Sequence, residues 1–463
     1  MALWRSTVIV SAMTMLSRVL GLVRDIVLLN VFGAGKDFDT FVVAFRIPNF
    51  FRRLFAEGAF SQAFIPVLTE YKTGRTHAEV QILISRVFGC LMTVMTALTF
   101  IAMVAAPAVL YIYAPGFHAD PEKFDLAVSM FRLTIPYLLF MSLTAFASSI
   151  LNSYGSFASP AFSPVLLNVA MIAGAWWLTP YMAEPIMALG WAVIAAGVLQ
   201  LAIQIPELWH KKLLIPPKVD FKHEGVDRIM KLMLPALFGV SVTQINLLLN
   251  TIWASFMQDG SVSWLYSAER MTELPLGLIG VAIGTVILPA LSTRHAEQDM
   301  SKFRGMMDWA AKVIVLVGVP ASIALFMLST PIIQALFQRG QFTIEDTQMT
   351  ALALQCMSAG VISFMLIKVF APGFYAQQDT KTPVRVGLMA VAANAILNVV
   401  FIGFFKLIDW QAEHMALALA SSGSALVNAG MLYFYLHKRD IFRFGAHWKK
   451  LFIQFGISNA VMI

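Results

Sequence analysis

Charge is scarce in this chain. Only 13% of its 463 residues are Asp, Glu, Lys or Arg, where a soluble domain carries about 25%. No polar stretch is long enough to build a separate soluble domain, so a globular cytoplasmic enzyme is excluded. Cysteine is nearly absent. Cys90 and Cys356 each stand in an apolar stretch, with no CxxC or Cys/His spacing, which leaves disulfide and zinc frameworks without support. The histidines show no HxxxH spacing. A P-loop, a GxSxG elbow and a paired-acid magnesium motif are all missing, so neither ATP hydrolysis nor acyl transfer is written here. The expectation is a protein without metal or cofactor that performs no covalent chemistry. The alternating pattern of a membrane β-barrel is absent too.

What the chain has is apolar length. It is 59% hydrophobic, with a mean hydropathy of +0.74, and the excess falls in runs of about 20 or more residues over the whole chain. This predicts an all-α polytopic membrane protein. Twelve spans are expected, near 7–33, 39–70, 84–113, 125–151, 160–180, 185–207, 229–257, 262–291, 308–330, 347–375, 384–406 and 413–437. A thirteenth begins near Trp448, and the sequence stops inside it at Ile463. Turn residues punctuate the spans at Gly33-Ala34-Gly35, Ala114-Pro115-Gly116, Thr179-Pro180 and Asp259-Gly260. Arg18 interrupts the first apolar run and no small-residue cleavage site follows it, so the first helix is expected to be retained.

The net charge of +7 would suit nucleic acid, but the cations sit in short loops, where membrane topology places them. With the N-terminus in the cytoplasm, the inner loops collect Lys72, Arg75, Lys211, Lys212, Lys218, Lys222, Arg294, Lys302, Arg304, Lys381, Lys438, Arg439 and Arg443. The outer loops hold little beyond Lys36, Lys123, Arg339 and Lys406. The expected organisation is a lobe of six helices over 1–210, a basic amphipathic cytoplasmic linker over 211–228, and a second six-helix lobe over 229–440. The start of an incomplete thirteenth helix follows over 441–463. Phe64-Ile65-Pro66-Val67-Leu68 and Ile287-Leu288-Pro289-Ala290-Leu291 resemble each other at an offset of 223, as do Pro160 and Pro383. With an even number of spans per copy, such repeats run parallel.

The first two spans are not purely apolar. Arg18, Arg24, Asp25, Arg46, Arg52, Arg53 and Glu57 interrupt them, and one arginine at mid-bilayer costs about 2.5–3.5 kcal/mol on insertion scales. At ~1.5 Å of rise per residue, Arg24 lies ~13 Å and Arg18 ~22 Å from the outer end of the first helix. On the same count Arg52 lies ~20 Å down the second helix and Arg270 ~13 Å down the eighth. Four arginines thus share one slab of the membrane, and they are expected to face a wet cavity and hold an anion. The planar guanidinium favours phosphate, which it can bind bidentately. Arg18 and Asp25 are seven apart and share a helix face. Arg53 and Glu57 are spaced to pair, leaving Arg52 for substrate. Glu269, Arg270 and Glu273 repeat the mixed arrangement. Internal ion pairing is the competing account, since Asp25, Glu57, Glu269 and Glu273 nearly balance the arginines. Asp39 stands at a helix start, where an N-cap role is the alternative. Arg132 and Lys368 lie toward helix ends, within snorkelling distance of the interface.

Longer motifs sharpen the reading. Ser11 to Asp25 (SAMTMLSRVLGLVRD), Phe32-Gly33-Ala34-Gly35 with Asp39, and Arg46 to Phe64 (RIPNFFRRLFAEGAFSQAF) resemble the amino-terminal signature of the MurJ (MviN) family. Ser263 to Glu273 (SWLYSAERMTE) and Ala371 to Pro383 (APGFYAQQDTKTP) extend the resemblance over essentially the whole chain. The family comprises lipid II flippases of the MOP exporter superfamily. The resemblance implies two parallel six-helix lobes around a cationic cavity, and alternating access that moves an undecaprenyl-pyrophosphate-linked disaccharide pentapeptide across the bacterial inner membrane. It maps substrate-binding roles onto Arg18, Arg24, Arg52, Arg270, Asp39, Ser263 and Glu273, with Asp25, Arg53, Glu57 and Glu269 as supporting ion pairs. It implies lipid II and membrane lipids as partners and a protein that works as a monomer. The family's helices thirteen and fourteen form a groove for the lipid tail; here the thirteenth is cut and the fourteenth is missing. The competing readings are a drug/cation antiporter or polysaccharide-lipid exporter of the same superfamily, and a membrane enzyme using polyprenyl-pyrophosphate donors.

Overall fold

The computed structural model describes residues 2–54, 60–445 and 448, and among these every regular element is helical. The chain forms two compact units, which part inside one long helix. The first comprises Met1–Gln244 with Gln258–Gly260 and Arg339–Phe342; the second comprises Ile245–Met257, Ser261–Gln338 and Thr343–Ile463.

In the first unit α1 (Ala2–Phe32) is followed by α2 (Lys36–Leu54), α3 (Phe60–Gly74), α4 (His77–Val104) and α5 (Ala106–Tyr113). Then come α6 (Pro121–Thr134), α7 (Tyr137–Ser153), α8 (Ala158–Ala173), α9 (Met187–Ala202), α10 (Ile205–His210) and most of α11 (Glu224–Ala254). Two of these helices start on side-chain caps. Thr76 and Glu79 form a reciprocal capping box at α4, and Asp120 accepts two backbone N–H groups at the head of α6, with Pro121 at its first position. Gly33 ends α1 in the left-handed region (φ +71°), its N–H returning to Leu29, as helix-terminating glycines do.

The second unit holds the end of α11, then α12 (Ser261–Pro275), α13 (Val281–Ala296), α14 (Met300–Met327) and α15 (Ser329–Phe337). It finishes with α16 (Ile344–Tyr375), α17 (Lys381–Leu407) and α18 (Met415–Lys438). The span expected over 262–291 is broken. Pro275 cannot donate to the helical ladder, and a widened π turn over Leu276–Gly280 separates α12 from α13. The span expected over 125–151 falls within Pro121–Ser153, one segment long and apolar enough to cross a membrane, with a short turn at Ile135 and Pro136 between α6 and α7.

Among the described residues eight helical segments are long and apolar enough to cross a membrane. Along α17, Ile396, Val399, Val400 and Phe404 are all exposed, an apolar face of the kind that a lipid bilayer covers. Lipid tails offer helices no hydrophobic reason to associate, so close backbone approach and interhelical hydrogen bonds do that work. A Cβ added at Gly360 would lie 2.8 Å from Ser422 Cα, and the Ser422 hydroxyl donates to the Cys356 carbonyl of α16 at 2.8 Å.

The linker is a strap for most of its length. The chain carries no helix from 213 to 220 and is pinned to α4. Lys218 N–H donates to the Ser85 carbonyl, Ser85 Oγ to the Pro216 carbonyl, and the Gln81 amide to the Lys212 carbonyl. The prolines at 216 and 217 forbid helix here, and α11 starts only at Glu224. The expected thirteenth helix, apart from Trp448, lies outside the described residues.

Candidate functional site

Arg24 and Asp25 sit in the C-terminal third of α1 and are both buried, 6% and 2% exposed. Arg24 Nε and Nη2 donate to the same carboxylate oxygen, Asp25 Oδ1, at 2.9 and 2.6 Å. Arg24 Nη1 donates to Asn168 Oδ1 of α8 at 3.0 Å, and Asn168 Nδ2 donates back to the Ser17 carbonyl of α1 at 2.9 Å. This corrects the pairing expected from helix faces. Asp25 is held by its neighbour Arg24, because the long arginine stem swings its head across the ~100° step between adjacent residues. Arg18 is exposed on the same helix.

On α2, Arg52 is half-buried and its Nε donates to Asn49 Oδ1 at 2.8 Å, one turn back. Arg46 is buried. The predicted Arg53–Glu57 pair lies outside the residues whose side chains are described. Asp39 is 1% exposed. Its Oδ2 accepts the Gly260 N–H at 2.8 Å, at the threshold of α12, and stands 3.4 Å from Lys123 Nζ. Lys123 also donates to Asp259 Oδ1 at 2.6 Å and lies over the Phe117 ring. Asp39 lies inside the first turn of α2, its backbone N–H donating to the Gly35 carbonyl, so the N-cap alternative for α2 does not hold.

On α12 of the second unit, Arg270 Nη1 meets Glu273 Oε2 at 2.9 Å and Nη2 meets the Tyr266 hydroxyl at 3.1 Å. These partners follow from i+3 and i−4 spacing on one helix face. Glu269 is half-buried on the same turn, and Ser263 is fully buried one turn and a half earlier. Nearby, Trp264 Nε1 donates to Asp346 Oδ1 at 2.9 Å and its ring lies 5.0 Å from that of His414. His414 Nε2 bonds the Met349 carbonyl at 2.9 Å. Burial holds this imidazole down to about 4, which the carbonyl bond only partly offsets. Arg132 is exposed and donates to the Met103 carbonyl at the end of α4.

The two units therefore carry the predicted residues separately. The first brings Arg24 and Asp25 together and ties Asp39 to Lys123; the second brings Arg270 to Glu273. Sequence reasoning missed Asn168, Lys123 and Asp259 as parts of these clusters. A side-chain amide inside an otherwise apolar span was the available signal for Asn168. For Lys123, a lone cation in an outer loop gave none. Chemically, guanidinium groups held by short-range partners on helices are preorganised donors for a phosphate or diphosphate.

A family model described as lipid II flippase MurJ matches residues 28–463. A probable lipid II flippase MurJ of Vibrio cholerae is 44% identical over 467 residues, spanning 99% of this chain and 88% of its own length. The lipid II flippase MurJ of Burkholderia cenocepacia is 41% identical, spanning 98% of this chain and 87% of its own length. Among solved structures, lipid II flippase MurJ in an inward closed conformation superposes with a TM-score of 0.80 at 27% identity, over 94% of this chain and 88% of that one. An inward-facing multidrug resistance MATE family transporter of the MOP superfamily gives 0.71 at 12% identity, over 93% and 97%, a likeness of fold alone.

Proposed function

The chain belongs to the lipid II flippase MurJ family, and we infer that it is a multi-pass membrane transporter that carries lipid II for peptidoglycan synthesis. It moves the undecaprenyl-pyrophosphate-linked disaccharide pentapeptide from the cytoplasmic to the periplasmic leaflet of the inner membrane. Its N-terminus is cytoplasmic, as the distribution of lysine and arginine among the loops supports. It works as a monomer by alternating access of lobes 1–210 and 229–440, joined by the linker 211–228.

The diphosphate is the handle. Arg18, Arg24, Arg52 and Arg270 bind it while the polyprenyl tail stays in lipid, and Glu273 takes part beside Arg270. Asp39 and Ser263, both buried, act by holding α2 and the start of α12 in shape for the substrate. Asp25, Arg53, Glu57 and Glu269 moderate the cationic charge. The observation that carries this reading is Arg24, a buried guanidinium on α1 that donates to the Asp25 carboxylate and to the Asn168 amide oxygen. No bond in the substrate is made or broken, so the site needs orientation and charge alone.

Purified protein in liposomes, given fluorescent lipid II in one leaflet, tests the reading. Wild type should equilibrate the label between leaflets and Arg24→Ala should not. Full transport by Arg24→Ala would remove Arg24 from the site.

A further inference from the structure

We propose that Asn168 is a positioning residue for substrate binding, setting the direction of the Arg24 guanidinium without neutralising it. The proposal rests on the reading of Arg24 given above. Asn168 is 5% exposed and stands in the apolar run of α8. An amide in such a place needs partners on both its atoms. It finds them on a single helix: Oδ1 accepts from Arg24 Nη1 at 3.0 Å and Nδ2 donates to the Ser17 carbonyl at 2.9 Å.

The orientation of this amide is dictated by its neighbours. A guanidinium only donates and a backbone carbonyl only accepts, so the amide can be placed one way round. Ser17 and Arg24 are seven residues apart, ~10.5 Å along the helix axis. Helical side chains lean toward the N-terminus, which brings the Arg24 head back to the level of Gly21. Asn168 Nδ2 lies 3.8 Å from where a Gly21 Cβ would be. The amide therefore grips backbone and side chain of α1 at one level and fixes the guanidinium against the helix that bears it.

The chemistry of the group matters as much as its place. Asp25 already supplies one negative charge to Arg24 through Oδ1. A second carboxylate at position 168 would compete with a diphosphate for the same cation. A carboxamide offers an acceptor of the same shape with no charge, so the Arg24 pair keeps its capacity for an anionic ligand.

The test is a double-mutant cycle on lipid II affinity, measured with purified protein in detergent. Asn168→Leu, which removes both bonds while keeping the number and branching of side-chain heavy atoms, is expected to weaken lipid II binding about tenfold, the scale of one hydrogen bond to a charged group. On an Arg24→Ala background the same substitution should change affinity less than about twofold, because its route of action is gone. Asn168→Asp keeps the acceptor and adds charge, and should bind lipid II no better than Asn168→Leu. If Asn168→Leu does not accumulate, Asn168→Ser replaces it in the cycle. Wild-type affinity in Asn168→Leu or Asn168→Asp, with Arg24→Ala impaired, overturns the proposal and leaves the Arg24 reading standing. An equal loss on the wild-type and Arg24→Ala backgrounds marks a merely structural residue and also overturns it. Unchanged affinity in Arg24→Ala itself overturns both.

Discussion

Asp39 and Gly260 are 221 positions apart, yet the Asp39 carboxylate accepts the Gly260 N–H at 2.8 Å. The same oxygen faces Lys123 at 3.4 Å, and Lys123 reaches on to Asp259 at 2.6 Å. Asp259 and Gly260, both part of the first unit, are thereby tied to α2 and α6. A helix start carries partial positive charge, and a carboxylate placed at it satisfies both the orphan N–H and that charge.

Removing Lys123 should be costly for this reason. Its side chain is 5% exposed and that of Asp39 is 1% exposed, so Lys123→Ala takes the ammonium away from a buried carboxylate. Breaking a buried pair from one side costs about 3–5 kcal/mol. A fall of the thermal midpoint is expected, with partial recovery in the double variant Lys123→Met/Asp39→Asn. A midpoint equal to wild type in Lys123→Ala would show the pair to be idle.

Arg24 should not tolerate lysine. An ammonium cannot reach Asp25 by two N–H groups and Asn168 by a third at fixed angles. Arg24→Lys is expected to lower lipid II transport by at least about tenfold, with membrane levels near wild type. The liposome assay with labelled lipid II reads this directly.

Gly33 is the turn between α1 and α2. Its φ of +71° is left-handed, where an L-residue costs about 1–2 kcal/mol, and an added Cβ would lie 2.7 Å from the Gln341 carbonyl oxygen. Gly33→Ala should destabilise by at least that amount. Gly35→Ala, whose Cβ would meet nothing within 4 Å, is the control and should unfold close to wild type.

His414 makes stability depend on pH. In the folded state burial holds it down to about 4, against about 6.5 in an unfolded chain. Above about 6.5 both states are neutral and its contribution is fully present. As pH falls from about 6.5 to about 4 only the unfolded state takes up the proton, and up to about 3 kcal/mol is lost. His414→Gln should flatten the thermal midpoint over this window relative to wild type; parallel curves would contradict the assignment.

Much of the architecture was legible because a bilayer imposes simple rules. The helix bounds of α16, α17 and α18 fall within three residues of those read from hydropathy, since apolar length and caps such as Thr343 leave few alternatives. The turn at Pro136 and the π turn after Pro275 were less legible, because proline is tolerated inside membrane helices. Position along a helix says nothing of a partner on another helix, which is why Asn168 and Lys123 escaped notice while Arg24 and Arg270 did not.

Composition and spacing alone determined that this chain is a helical membrane protein whose apolar stretches are interrupted by arginines. Tertiary structure decided which groups those arginines meet: Asp25 and Asn168 for Arg24, Tyr266 and Glu273 for Arg270. The reason is physical. Burial in lipid is a one-dimensional property that a sequence displays residue by residue, whereas a hydrogen bond needs two heads within about 3 Å, and that distance is set by how helices far apart in sequence pack.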